Sequence, residues 1–267
     1  MNKKVITYLG ILCVVCPVFY YLSIKSGGIN GGSIFLIGLM WMPAFSAICT
    51  KLIYDHSIKG IGWKIRGWRE IGIAYIMPLL SCIVVYGSAW ITGIGQCNFI
   101  GIGQFLVMGT VGLLGSMVTA IGEEIGWRGF LLTELKAASD YKTVNLTIGS
   151  IWYIYHLPVI VFSNYNNGNK LTSAFCFFVM VMAMTVIADE LCIKANSMWP
   201  SVIFHASHNL FVQSIFDKMT INNSFTQYVT SEFGIGLALC YMIAAVYIIN
   251  KRKQTIRKNQ KSRISCK

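Results

Sequence analysis

What most constrains this chain is the recurrence of apolar windows about 20 residues long, the length that spans the ~30 Å hydrocarbon core of a bilayer. Eight such windows can be placed, at about 5–24, 33–53, 71–92, 105–133, 144–162, 172–190, 198–216 and 233–250. A composition of 55% hydrophobic and 12% charged residues, with a mean hydropathy of +0.61, exceeds what a soluble core needs. The expected fold is all-α: a polytopic transmembrane helical bundle of about eight helices, with seven as the fallback. No internal repeat, soluble domain or long linker interrupts the pattern. Residues 1–267 therefore read as a single integral membrane domain with a basic tail at 251–267.

The first window follows Lys3 and Lys4 and is similar to a signal peptide, yet no small-residue cleavage site precedes the next window, so it reads as an uncleaved first helix. The net charge of +12 does not point to nucleic acid, because its distribution follows the loops. With an even number of helices both termini share one face. That face collects 18 basic residues, from Lys3 and Lys4 through the 51–70 loop to the tail, against Lys25, Lys170 and Lys218 on the other. This asymmetry obeys the positive-inside rule. It predicts a multi-pass protein of the cell membrane with both termini cytoplasmic, and a tail lying against anionic lipid. The nine cysteines show no repeated pair spacing, and most read as small buried hydrophobes rather than disulfide or metal partners.

Inside this apolar sequence the segment from Gly122 to Phe130 carries Glu123, Glu124 and Arg128. A charge at the centre of a membrane helix costs roughly 2.5–3.5 kcal/mol on insertion scales, so such residues mark function. Residues four apart share a helix face, which lets Glu124 pair with Arg128. Glu123 points about 100° away from Glu124 and is the freer carboxylate, suited to a general base. Gly122, Gly126 and Gly129 are spaced for close helix approach. His156 lies on the fifth helix two residues before Pro158, and His205 and Asn209 share a face of the seventh. Counted at ~1.5 Å per residue from the basic end, Glu123, His156 and His205 lie at similar depths and could meet in one pocket. From that depth the pocket is expected to open on the basic face. Asp189 and Glu190 read as an interfacial cluster closing the sixth helix near Lys194.

Glu123-Glu124-x-x-x-Arg128, the aromatic-x-x-x-His from Trp152 to His156, and His205-x-x-x-Asn209 together resemble the three signature motifs of the CPBP family (CAAX proteases and bacteriocin-processing enzymes), also called the Abi family, which includes the type II CaaX prenyl endopeptidases. The resemblance covers about residues 105–215, the expected protease core. It implies an intramembrane glutamic endopeptidase acting on a membrane-associated peptide or protein. By that resemblance Glu123 and His156 would activate water, His205 and Asn209 would form the oxyanion hole, and Glu124 and Arg128 would hold the site together. The family more often has phenylalanine where this chain has Trp152, a difference that bears on packing more than on chemistry. Zinc held by two histidines and a glutamate is a competing reading, but the usual His-Glu-x-x-His pattern is absent and no cofactor or metal is expected. The alternative outside catalysis is a bacteriocin self-immunity protein that acts by binding. Transport is disfavoured by the lack of an inverted repeat.

Overall fold

The computed structural model describes residues 2–26 and 34–265, with side chains through 258. Its architecture is a helical bundle: α1 (Lys3–Lys25), α2 (Ile34–Asp55), α3 (Trp68–Ile91), α4 (Ile102–Lys136), α5 (Tyr141–Phe162), α6 (Lys170–Ala195), α7 (Trp199–Asn209) and α8 (Ile235–Ser265). Among the described residues seven helices are long and apolar enough to cross a membrane. The remaining one, α7, is eleven residues long and runs on as the π-helical stretch Leu210–Phe216, so the expected 198–216 window is helical but is not one of those seven. Large apolar side chains cover the outside of the bundle, as at Val14, Ile91 and Leu114, which is the surface a lipid-facing protein presents.

Local chemistry sets the helix ends. Asp140 caps α5, its carboxylate accepting from the Thr143 amide at 2.9 Å. Asn169 caps α6 through the Leu171 and Thr172 amides, and Asn196, in the left-handed region at φ 48°, ends it. The α6 helix runs five residues past the expected end at 190, because Leu191, Cys192, Ile193 and Ala195 continue the apolar helical sequence. The last helix is longer still. The basic stretch from 251 is not a separate tail but a continuation of α8 through Ser265. Lys, Arg and Gln favour helix, and neither Gly nor Pro follows Gly236.

The helices alternate in direction, which gathers the basic segments at one end. Lys4 of α1 pairs there with Asp55 at the end of α2 at 2.5 Å, and Asn2 donates to Glu134 at the end of α4 at 2.8 Å. Arg252 bonds Glu190 at 2.8 Å and stacks over Tyr141, 4.1 Å from its ring centre. At the opposite end β1 (Gly95–Cys97) pairs antiparallel with β2 (Thr220–Asn222), Gly95 facing Asn222. Packing centres on α6, the most buried long helix, which contacts α5, α7 and α8. The α2 helix packs against α1 and α4. There the expected close approach holds at two glycines: a Cβ on Gly122 would stand 2.7 Å from the Met40 carbonyl, and one on Gly126 would stand 2.5 Å from Pro43 Cβ. Gly129 instead faces Ile61 of the 56–67 loop. The eight described cysteines are free, and Cys266 lies outside the described residues.

Candidate active site

Two of the motif-bearing helices leave α geometry at their motifs, the first within its motif and the second directly after it. Glu123 and Glu124 end an α-helical run and Ile125–Leu131 is π-helical; His205 and Asn209 end α7 and Leu210–Phe216 is π-helical. Such wide turns are rare and concentrate at functional sites. The Glu124–Arg128 pair forms across the first of them, with Arg128 Nη1 donating to both Glu124 oxygens at 3.0 and 3.1 Å.

That pair belongs to a larger buried cluster. Arg128 Nε donates to Asp189 Oδ1 at 2.9 Å, and His205 Nδ1 lies 3.0 Å from Glu124 Oε1. All four residues are buried. The reading of Asp189 as interfacial is therefore corrected: with α6 extending to Ala195, Asp189 lies more than a turn inside the helix and faces Arg128. Glu190 does sit in an end cluster, paired with Lys194 at 3.1 Å and with Arg252.

Glu123 stands apart from the ion cluster, held by two indoles. Its Oε2 accepts from Trp127 Nε1 at 3.2 Å and from Trp152 Nε1 at 2.9 Å, while Oε1 has no hydrogen-bond partner among the described residues. Trp152 thus does more than pack, which corrects the expectation for this position, since phenylalanine has no N–H to offer. Its ring also supports the Arg128 guanidinium 4.5 Å from the ring centre and meets the His205 ring edge-on at 5.4 Å. His156 Nδ1 donates to the Trp152 carbonyl at 2.9 Å, which leaves Nε2 of the neutral ring as an acceptor.

Glu123, His156, His205 and Asn209 line one cavity of about 30 Å³, room for a water molecule or two. An adjoining cavity of about 100 Å³ shares Glu123 and His156 and reaches Leu36, Val159 and Tyr165. These residues lie toward the end away from the basic loops, so the expected opening on the basic face is overturned. The reason is the buried cluster itself: Arg128, Asp189 and Trp152 fill the space between Glu123 and the basic end.

A second polar group in the same cavity had no sequence signal. Glu232, from the loop before α8, accepts from Tyr165 Oη at 2.7 Å and Gln213 Nε2 at 3.0 Å. His208 bonds Tyr241 through Nδ1 at 2.9 Å, and its Nε2 stands 3.9 Å from Glu232. Trp127, by contrast, sits four residues from Glu123 and could have been found on a helical wheel. Among the described residues no three His, Cys, Asp or Glu side chains are grouped to hold a metal ion.

Comparison with known proteins points the same way. Residues 104–211 match the family model of the type II CAAX prenyl endopeptidases, Rce1-like, a stretch that holds all three motifs. The CAAX prenyl protease 2 of Methanococcus maripaludis is 25% identical over 190 residues, covering 66% of this chain and 70% of that protein. With its motifs gathered around one buried cavity and its core matched over that stretch, this multi-pass helical membrane protein is similar to the Rce1-like type II CAAX prenyl endopeptidases.

Proposed function

We propose that this protein is an intramembrane endopeptidase that hydrolyses a peptide bond of a membrane-associated peptide or protein with a water activated by Glu123 and His156. The observation that carries this reading is the state of Glu123: a buried carboxylate with one oxygen fixed by two indoles and the other unpartnered, in a cavity of water size. The free oxygen and His156 Nε2 are both acceptors, suited to orient a water and take its proton as the oxygen attacks the scissile carbonyl. The tetrahedral oxyanion would be met by Asn209 and His205. Since Nδ1 of His205 donates to Glu124, Nε2 can donate only when the ring is an imidazolium. That second positive charge would balance the two carboxylates, Glu124 and Asp189, gathered around Arg128. Collapse of the intermediate breaks the C–N bond, and the proton taken from water passes to the leaving amine. In this reading Glu124 and Arg128 position His205, the basic end faces the cytoplasm of a cell membrane, and the substrate enters from the end where Tyr165 and Glu232 lie.

The test compares peptides and membrane-protein termini, by mass spectrometry, in cells carrying the native chain or an equally abundant Glu123→Gln variant. Products of specific cleavage are expected to disappear with the variant, a loss on the order of 10²–10⁴ in rate. Unchanged termini, together with a protective phenotype kept by both chains, would replace catalysis with the binding role of an immunity protein.

A further inference from the structure

A groove of about 640 Å³, far larger than the cavity around Glu123, lies at the basic end between α3, α6 and α8. The α3 and α8 helices each contribute a charged level and an apolar level to it, and α6 contributes charges around one leucine. On α3, Arg69 and Glu70 precede Ile73 and Met77; on α6, Lys194 and Glu190 flank Leu191; on α8, Ala244 and Ile248 lead to Lys251 and Arg252. Charges thus collect at the end of the groove where the helices leave the apolar zone, and alkyl groups line the part that runs back into it. Exposed aromatics mark the same level, with Trp68 at the start of α3 and Tyr247 on α8, its ring 5.7 Å below the Lys251 ammonium. Aromatic rings of this kind settle at the headgroup region of a bilayer.

Charge decides what such a groove selects. Four cations line it against two carboxylates, and Glu190 is already engaged by both Lys194 and Arg252. Arg69 and Lys251 are exposed and have no salt-bridge partner among the described residues. The surplus is positive at the charged level and absent below it, the pattern complementary to a phosphodiester headgroup carrying acyl chains. We infer that this groove is a binding site for an anionic phospholipid, with Arg69 and Lys251 reading the phosphate and Ile73, Met77 and Ile248 taking an acyl chain. Basic pockets between membrane helices bind anionic headgroups by this combination, each cation contributing about a fivefold gain.

The experiment titrates the purified full chain in detergent with phosphatidylglycerol or phosphatidylcholine and counts bound lipid by native mass spectrometry. With two cations reading the headgroup, the native chain is expected to prefer phosphatidylglycerol by roughly twentyfold. In Arg69→Gln/Lys251→Gln the preference should fall below about threefold while phosphatidylcholine, whose phosphate charge is offset by its own choline, loses no more than about twofold, which shows the groove intact. Lys59→Gln/Arg66→Gln, which removes two exposed cations outside the groove, should keep the full preference. Equal binding of the two lipids by the native chain, or an undiminished preference in the groove variant, overturns the inference. So does displacement of the lipid by inorganic phosphate alone, or a dimeric chain that excludes phosphatidylglycerol.

Discussion

Trp152 donates its indole N–H to Glu123 Oε2 at 2.9 Å while its ring carries the Arg128 guanidinium at 4.5 Å. One side chain therefore ties the proposed general base to the buried ion cluster. Trp152→Phe keeps an aromatic ring, though a smaller one, and removes the donor. A hydrogen bond to a charged group is worth about 1.5–3 kcal/mol, and Trp127 still holds the same oxygen, so cleavage should slow by roughly tenfold to a hundredfold. The unfolding midpoint should fall only slightly. Rates on a cleaved peptide, read beside thermal unfolding, check this; an unchanged rate would mean that Trp127 alone fixes Glu123.

Asp189 makes the opposite prediction, because its partner is structural rather than catalytic. Its removal leaves Arg128 Nε, already cut off from water, without an acceptor. Breaking a buried ion pair from one side costs about 3–5 kcal/mol. Asp189→Ala is expected to destabilise the protein by that order, and Asp189→Asn by less, since an amide oxygen can still accept. Thermal unfolding in detergent measures both, and equal stability of all three chains would remove Asp189 from the cluster's support.

These two residues also mark how far the sequence could be read. The helical class, the Glu124–Arg128 pair and the meeting of Glu123, His156, His205 and Asn209 at one cavity were all legible, because they follow from apolar length and from four-residue spacing. Asp189 was misplaced by a local error of five residues in the end of α6: once a window is closed at the first charged pair, a buried acid looks interfacial. Glu232 was beyond reach for a different reason. It lies in a loop of no periodicity, and only the tertiary packing of α5, α7 and α8 brings it beside Tyr165, Gln213 and His208. The direction in which the cavity extends was equally hidden, since depth along a helix says nothing about which side of a residue is filled.

The orientation of the bundle can be checked without engineering a label. Cys97, in β1 at the end away from the basic loops, is exposed, while other described cysteines lie along the helices. If the basic end is cytoplasmic, a membrane-impermeant maleimide added to intact cells should modify the native chain, and Cys97→Ser should lose most of that label. Labelling that requires cell lysis would invert the orientation.

Asp217 supplies a pH signature, since it follows the π-helical Leu210–Phe216 and lies outside the apolar spans. Burial pushes its carboxyl up to about 7, the Glu232 carboxylate adds to the rise, and the hydrogen bond from Tyr86 Oη at 2.5 Å opposes it. In the unfolded chain the group titrates near the usual ~3.9. Between those two values the folded protein holds a proton that the unfolded chain has released. Stability from this site is therefore present below about pH 4, declines as the pH rises toward 7, and is flat above it. Asp217→Asn keeps an acceptor for Tyr86 and removes the titration. Unfolding midpoints measured from pH 5 to 8 should decline for the native chain and decline less for the variant. Parallel curves would place the titrating group elsewhere.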